Sequence, residues 1–372
     1  MATTSVLSGL DLIKWQKSFW REYVRDSGFA PYMGNSPLDI IHTKNDLKTD
    51  GYTLRIPLVG RLQASGVTGN TRLTGNEEQL DQYYQDVAWE YYRNAIELSK
   101  KEVKKSAVDL EEVCRPLLKE WSAELIKYQI IDSLHKMVDG TKFSAATSTQ
   151  RNTFATNNVD RILFGVTRSN YSATHATGLG AVDSTNDKLS PTMASLAKFM
   201  AKTANPRIRP FKTGTQGREY FVMFCHPICF RDLKVDSTMT AANREARARE
   251  GGGMDSNPLF QDGDLIYDGI IFREIPEFYM ARQGSGTNPE THLTGVGASS
   301  IDVGANFLCG AQAIAMVNKQ APLPTVKSED DYNFFNGMGI ELAHGIDKLR
   351  WNNGSGTAKD VGMVTVYASA AA

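Results

Sequence analysis

Residues 52–98 constrain the fold most, because two strand-like runs flank a long turn-rich middle. Residues 52–62 (YTLRIPLVGRL) alternate well enough for a strand, and Pro57 favours an edge position. Residues 83–98 (YYQDVAWEYYRNAIEL) return as a β-prone aromatic run. The turn residues between the runs are Gly66, Gly69, Asn70, Gly75 and Asn76. A two-stranded ribbon of this length is barely stable alone in water, so we predict a long hairpin that needs a surface to lie on.

The first 45 residues predict a short helix followed by an extended arm. Apolar residues between positions 10 and 23 recur at three- and four-residue steps, which suits a short helix. Pro31 and Pro37 then disfavour helix in residues 30–41 (APYMGNSPLDII). The first 45 residues carry Trp15, Trp20, Tyr32 and Met33 but have little core of their own. We therefore expect it to pack on something else, and a neighbouring subunit is one candidate.

A long amphipathic helix is predicted after Asp109, which resembles a capping residue. Apolar residues step by three or four over positions 110–138, about 28 residues or about 40 Å of helix. Pro116 should kink this helix or mark a later start, and Gly140 should end it. A second helix is predicted in residues 190–204, with Ser190 as its cap and Leu196, Phe199 and Met200 on one face.

The remaining segments mix strand and loop. Residues 141–190 are rich in Ser, Thr, Asn and Gly and predict surface loops. Residues 219–236 (EYFVMFCHPICFRDLKVD) predict a strand buried on both faces. Further strands are expected in residues 264–275, with a turn at Asp268-Gly269, in residues 306–320 and in residues 362–372; residues 241–250 (AANREARARE) predict a charged, solvated helix. Helix and strand without regular alternation are typical of an α+β fold.

The overall composition excludes several classes of protein. The chain has 41 Lys plus Arg against 42 Asp plus Glu, a net charge of -1, so tight electrostatic binding of nucleic acid is not expected. Its four cysteines are scattered, which favours reduced thiols in a cytosolic compartment. The N-terminal residues do not resemble a secretory signal, and apolar runs are too short to span a membrane.

The segment Cys225-His226-Pro227-Ile228-Cys229 is the obvious candidate for a metal site or a nucleophile. A zinc site needs about four ligands, usually in two closely spaced pairs, and the other cysteines are isolated. We interpret these thiols as small apolar side chains in a buried strand. The histidines follow no H-E-x-x-H spacing, and the glycine pairs match no phosphate-binding loop. No catalytic, cofactor-binding or metal-binding residue is predicted, and no cofactor is expected.

Residues 52–80 (YTLRIPLVGRLQASGVTGNTRLTGNEEQL), the β return and the long helix together resemble the major capsid proteins of tailed phages, in particular the N-four-like coat-protein family. Residues 220–234 (YFVMFCHPICFRDLK) and 257–275 (NPLFQDGDLIYDGIIFREI) agree in order, and the resemblance spans positions from about 10 to 367. It implies the Hong Kong 97-type capsid fold. The implied parts are an N-terminal arm (1–45), an extended β-hairpin loop (46–98), a peripheral domain with a long spine helix (99–190 and 346–372) and an axial domain (191–345).

The resemblance also implies a function. The protein would be structural, not an enzyme, and would self-assemble into hexamers and pentamers of an icosahedral shell enclosing double-stranded DNA. It would belong to the virion capsid and assemble in the host cytoplasm. Its partners would be a portal, a scaffolding or decoration protein, and packaged DNA held non-specifically on the inner face, with no membrane. We expect intersubunit contacts at Arg55, Arg61, Arg72, Glu77, Glu78, Trp15 and Trp20.

Two alternatives remain. An encapsulin-type compartment would have the same fold but would close without phage factors and enclose a cargo enzyme. A metal-dependent hydrolase centred on His226 and its neighbouring cysteines is the more distant alternative.

Overall fold

The computed structural model describes residues 28–45, 53–62, 64–106, 110–213, 219–241, 264–280, 290–330, 334–351 and 357–371. The helix expected near residues 10–23, the capping role of Asp109 and the charged segment 242–250 lie outside these residues. The α-helices of the described residues are α1 (Lys100–Lys105), α2 (Leu110–Leu134), α3 (Ser148–Asn157), α4 (His175–Gly180), α5 (Pro191–Thr203) and α6 (Pro227–Val235). Across the described residues, every helix is too short or too polar to cross a bilayer.

The strands are also numbered in chain order. They are β1 (Met33–Gly34), β2 (Ile41–Asn45), β3 (Thr53–Val59), β4 (Gln82–Ala88), β5 (Glu90–Ser99), β6 (Ile162–Phe164), β7 (Lys212–Thr213), β8 (Glu219–Cys225), β9 (Asp264–Tyr267), β10 (Ile270–Glu274), β11 (His292–Leu293), β12 (Val303–Cys309), β13 (Ile314–Asp330), β14 (Phe335–Lys348), β15 (Arg350–Trp351), β16 (Lys359–Asp360) and β17 (Met363–Ser369).

The chain divides into two compact units. Among the described residues, the first comprises parts of Tyr91–Leu125 and Gln320–Ala343. In its described residues, β14 lies between β13 and β5. The second comprises Ser27–Glu90, Ile126–Lys319 and His344–Ala372 and holds the main core.

The second unit is built on a sheet with the strand order β6-β17-β12-β8-β10-β9, to which β11 and β7 attach beside β12 and β8. Strand β12 pairs antiparallel with both β17 and β8, whereas β10 runs parallel to β8. Successive side chains of a strand point to opposite faces. Accordingly, Val222 and Phe224 of β8 enter one core cluster and Phe221 and Met223 enter the other. The prediction that this run is buried on both faces is confirmed for β8.

Helices cover both faces of this sheet. The C-terminal end of α2, with Ile130, Ile131 and Leu134, packs in one core cluster together with residues of α3 and α4. Helices α5 and α6 pack in the other. The long helix is confirmed with Pro116 inside it, although it has 25 residues and ends at Leu134 rather than near Val138.

Two sequence predictions were wrong in detail. The polar stretch 141–190 was expected to be loops, but it contains α3, which a capping box between Thr147 and Gln150 starts. It also contains β6, whose three residues are all buried. Residues 219–236 were expected to form one strand, but Pro227 begins helix α6 because its fixed φ suits the first helical position.

The buried faces also differ from expectation. Phe199 of α5 is 54% exposed, because the buried face carries Met193, Ala197 and Met200 instead. The arm was expected to pack on something other than itself, with a neighbouring subunit as one candidate. Phe29 and Tyr32 contact Phe224 in the core of their own chain. The part of the arm that the structure describes therefore belongs to the second unit.

Candidate assembly surface

The root of the predicted hairpin is held to its own subunit by one alternating face. Strands β3 and β4 pair antiparallel from Thr53 opposite Ala88 to Val59 opposite Gln82. Their inward residues Ile56, Leu58 and Val87 are buried in a cluster with Ala315, Val317, Leu349 and Val361. The hairpin is confirmed for β3 and β4, and its own chain provides part of the surface that the sequence demanded. Residues 90–98 of the predicted return run do not continue the hairpin, because they lie in β5, which pairs with β14 instead.

The outer face of the hairpin carries an ion pair. Arg55 donates to the carboxylate of Asp86 from Nε at 2.7 Å and from Nη2 at 2.8 Å. Its guanidinium also lies 4.3 Å from the centroid of the Tyr84 ring. The hydrogen bond from Arg55 lowers the pKa of Asp86, and the same bond raises the pKa of Arg55. Arg55, which we expected at a subunit contact, already has a carboxylate partner in its own hairpin.

The hairpin tip, defined as residues 60–81, is irregular but specifically shaped. Its glycines with positive φ are Gly66 (72°), Gly69 (66°) and Gly75 (88°). Glycine adopts this backbone conformation without steric cost. Glu77 accepts a hydrogen bond from the backbone N–H of Gly75 at 2.7 Å, and Glu78 accepts one from Ala64 at 2.9 Å. Both expected contact residues therefore help to set the shape of the tip.

Aliphatic side chains are exposed along the tip. Leu73 and Leu80 are 60% and 50% exposed, and Leu62 is exposed to a similar extent. Single exposed aliphatic residues are ordinary on a monomer. Several exposed aliphatic residues on one short projection without a core of its own indicate a surface that another protein covers.

The other expected contact residues are dispersed. Arg61 lies at the start of the tip and Arg72 near its far end, and both side chains are exposed. Within the described residues, neither guanidinium forms an ion pair. Trp15 and Trp20 lie outside the residues that the structure describes.

The first unit exposes apolar side chains of its own. Tyr91 of β5 is half exposed, and Leu323 and Val326 of β13 are exposed as well. These residues were not among the contact residues predicted from the sequence. The feature that could have indicated them is the length of strand β13, which has 17 residues and carries aliphatic side chains well beyond the core.

The candidate chemical site is sealed. Cys225, His226 and Cys229 are fully buried. Burial raises the pKa of the Cys225 thiol well above its usual value and that of Cys229 to about 12, so both stay protonated and poorly nucleophilic. Burial lowers the pKa of His226 to about 3. Within the described residues, no group of three or more potential ligands is placed to hold a metal ion. This geometry does not support a hydrolase.

A second buried group is structural for the same reason. His135 and His175 each place Nε2 near the hydroxyl of Tyr367, at 2.8 Å and 3.0 Å. Burial lowers the pKa of His135 to about 3 and of His175 to about 4, so both rings are neutral near pH 7. The Tyr367 hydroxyl can therefore donate to one ring and accept from the other. This cluster joins the residue that follows α2 to α4 and β17, and its three side chains are buried.

Comparison with known proteins gives consistent matches over nearly the whole chain. A family profile described as phage capsid protein matches residues 3–372. The major capsid protein of Pseudomonas phage KPP25 is 25% identical over 371 residues, which cover 96% of this chain and 94% of that protein.

Solved structures agree. The capsid asymmetric unit of cyanophage Pam1 matches with a TM-score of 0.88 at 35% identity, covering 100% of both chains. The capsid of Ralstonia phage GP4 matches with a TM-score of 0.69 at 18% identity, covering 99% of this chain and 98% of that chain. These similarities confirm the α+β, Hong Kong 97-type fold that the sequence resemblance implied.

Proposed function

Because the chain belongs to the phage capsid protein family and is a major capsid protein, we propose that its copies form hexamers and pentamers of an icosahedral shell around double-stranded DNA. Each contact repeats head to tail, so that the same projection meets a different patch on the next copy and the ring closes. The observation that carries this mechanism is the hairpin tip. It projects exposed leucines and charges and lacks a core of its own.

We assign the parts of the fold as the resemblance implies. Residues 1–45 act as the N-terminal arm, 46–98 as the extended loop, 99–190 and 346–372 as the peripheral domain, and 191–345 as the axial domain. One segment supports a refinement. Residues 320–343 group compactly with the first half of α2, so we place them in the peripheral domain with the spine helix.

The intersubunit contacts that we propose are those of the tip and the arm. Arg61, Arg72, Glu77 and Glu78 contact the neighbouring copy, and Trp15 and Trp20 anchor the arm. Arg55 acts differently, because its pair with Asp86 stiffens the hairpin that presents the tip. Stiffening lowers the conformational entropy that assembly would otherwise cost.

The proposed partners outside the shell subunit itself are a portal, a scaffolding or decoration protein, and the packaged DNA. A net charge of -1 supports non-specific enclosure of DNA rather than tight binding. Assembly takes place in the host cytoplasm, and the protein catalyses no reaction. The sealed cysteines and histidines of the second unit support that last point.

Deleting residues 63–78 tests the proposal. The deletion removes the tip and leaves β3, β4 and the buried root intact, so the protein should stay folded while closed shells disappear from electron micrographs. Normal particles after the deletion would refute the proposed role of the tip. Shells that close on expression alone and copurify with a cargo enzyme would instead favour an encapsulin-type compartment.

A further inference from the structure

A basic cleft lies beside the root of the hairpin. It has a volume of about 390 Å³, and its charged lining residues are Lys44, Arg61, Arg207 and Arg209. Lys44 comes from β2, Arg61 follows β3, and the two other arginines lie between α5 and β7. Ile56 and Leu58 contribute to its apolar wall. We name these lining residues the root cleft.

Among the residues that the structure describes, no aspartate or glutamate lines the root cleft. The four cationic side chains are exposed, and none forms an ion pair or hydrogen bond to any residue that the structure describes. Exposed cations on most surfaces alternate with carboxylates, so four unpaired ones around a single cleft indicate a site for an anionic group.

Trp351 supplies an independent observation. Its indole lines the cleft and packs edge-on against Tyr83, with ring centroids 5.2 Å apart. The indole Nε1–H is buried, and no residue that the structure describes accepts a hydrogen bond from it. A buried donor left unpaired is destabilising. A carboxylate entering the cleft would form ion pairs with the arginines.

The hairpin tip has the complementary chemistry. Its described residues beyond Leu62 include one arginine, Arg72, against three carboxylates, Glu77, Glu78 and Asp81. The backbone hydrogen bond to Glu77 leaves further acceptor positions on that carboxylate. Leu80 beside these charges is half exposed and suits the apolar wall of a cleft.

We infer that the root cleft is the receptor for the hairpin tip of a second copy of this chain, with Glu77 and Glu78 entering between Arg207 and Arg209. This inference rests on the proposed function, because it requires copies that repeat head to tail. The cleft lies against β3 and the first residues of the tip, Gly60 and Arg61, whereas Glu77 and Glu78 come near the end of the tip. Each copy therefore carries both halves of a heterologous contact, and such contacts close into rings.

Charge reversal tests the pairing. The cleft-reversed variant carries Arg207→Glu and Arg209→Glu, and the tip-reversed variant carries Glu77→Lys and Glu78→Lys. A surface control carries Arg168→Glu and Lys188→Glu, which change the net charge as the cleft reversal does at exposed sites outside the cleft. Assembly of each purified protein is measured by sedimentation velocity and negative-stain microscopy, and folding by circular dichroism.

Each reversed variant should stay folded and lose at least tenfold in assembled mass, whereas the control should form shells. All four reversals in one chain should restore shells. An equimolar mixture of the two reversed variants should form six-membered rings. The two variants can alternate around six positions, so that each tip meets a cleft of opposite charge. Such a mixture should not form five-membered rings, because five positions cannot alternate.

Other outcomes would overturn the inference. Rescue by the combined chain without rescue by the mixture would mean that each tip contacts its own cleft. Normal shells from the cleft-reversed variant with reduced DNA content would make the cleft a phosphate-binding site. Absence of any oligomer from the unaltered protein would refute the proposed function and this inference together. If the unaltered protein forms normal shells but neither the combined chain nor the mixture restores assembly, this inference is refuted and the proposed function is not.

Discussion

The ammonium of Lys348 donates a hydrogen bond to the carboxylate of Asp360 at 2.9 Å, and both side chains are buried. The pair joins the end of β14 to β16 within the second unit. Burial lowers the pKa of Lys348, and the nearby Asp360 opposes that shift by stabilising the charged form. A buried pair of this kind is sensitive to the loss of either partner.

Replacing Lys348 by Met should therefore destabilise the subunit by about 3–5 kcal/mol, because Asp360 would keep a buried charge without its partner. Urea unfolding of the unassembled subunit measures this cost. The matched control is Lys202→Ala, which breaks an exposed pair with Glu219 of 2.7 Å and should cost about 0–1 kcal/mol. The double variant Lys348→Met with Asp360→Leu should recover at least part of the loss. Equal costs for the buried and exposed pairs would contradict the prediction.

Mild acid should destabilise the subunit through its buried histidines. Burial lowers the pKa of His135 and His226 to about 3 and of His175 and His344 to about 4, whereas an unfolded histidine titrates near 6.5. The unfolded chain binds more protons below that value. Stability should therefore be complete above about pH 6.5 and fall towards pH 4, by up to about 1.4 kcal/mol per pH unit for each buried histidine.

Urea unfolding between pH 7.5 and 5 measures that slope. His226→Asn should reduce it, because one of the neutral buried rings is removed. Val159→Asn at an exposed site is the control and should leave the slope unchanged, because it removes no histidine. A stability that does not change across this range would refute the prediction.

A methyl group at Gly345 should disturb the hairpin. A Cβ at this position of β14 would overlap the carbonyl oxygen of Ala88, the last residue of β4. We expect Gly345→Ala to cost about 1–3 kcal/mol through this overlap and to reduce shell yield, since β4 presents the tip. Gly180→Ala, where a Cβ would meet nothing within 4 Å, should affect neither stability nor assembly. Normal shell yield from the Gly345 variant would show that the strand can shift without consequence.

The exposed leucines of the tip should matter for assembly but not for folding. Leu73→Ser combined with Leu80→Ser removes apolar surface that faces solvent in the subunit, so the free energy of unfolding should change by less than about 1 kcal/mol. Shell formation should fall, because that surface is buried only between copies. Val235→Ser on α6 is the control, since Val235 is 75% exposed and lies outside the hairpin. If both variants assemble equally well, the tip leucines do not lie in the contact.

Features with strong local signals could be predicted from the sequence. The turn at Asp268-Gly269 is present between β9 and β10, with φ of 48° and 70° at the two residues. Ser190 caps α5 by accepting a hydrogen bond from the backbone N–H of Met193 at 3.3 Å. Both depend only on neighbouring residues, and so a single sequence carries the information.

Helices α1, α3, α4 and α6 were not predicted, although the start signals of α3 and α6 were present. Thr147 and Gln150 have the spacing of a capping box ahead of α3, and Pro227 occupies the first position of α6. Composition was misleading in both places. The exposed face of α3 is polar enough to resemble a loop, and the apolar residues of α6 continue the pattern of β8 without a break.

A turn-rich projection with almost no core, an ordinary charge and the lack of a catalytic pattern could be read from the sequence, because these are properties of local composition. The surroundings of that projection follow from the tertiary structure. It placed the hairpin root on β13 and Leu349 and packed the described part of the arm in the core of its own chain. It also brought Lys44, Arg61, Arg207 and Arg209 to one cleft. Contacts between residues so far apart in the chain depend on how the strands pair and pack, and no local pattern encodes them.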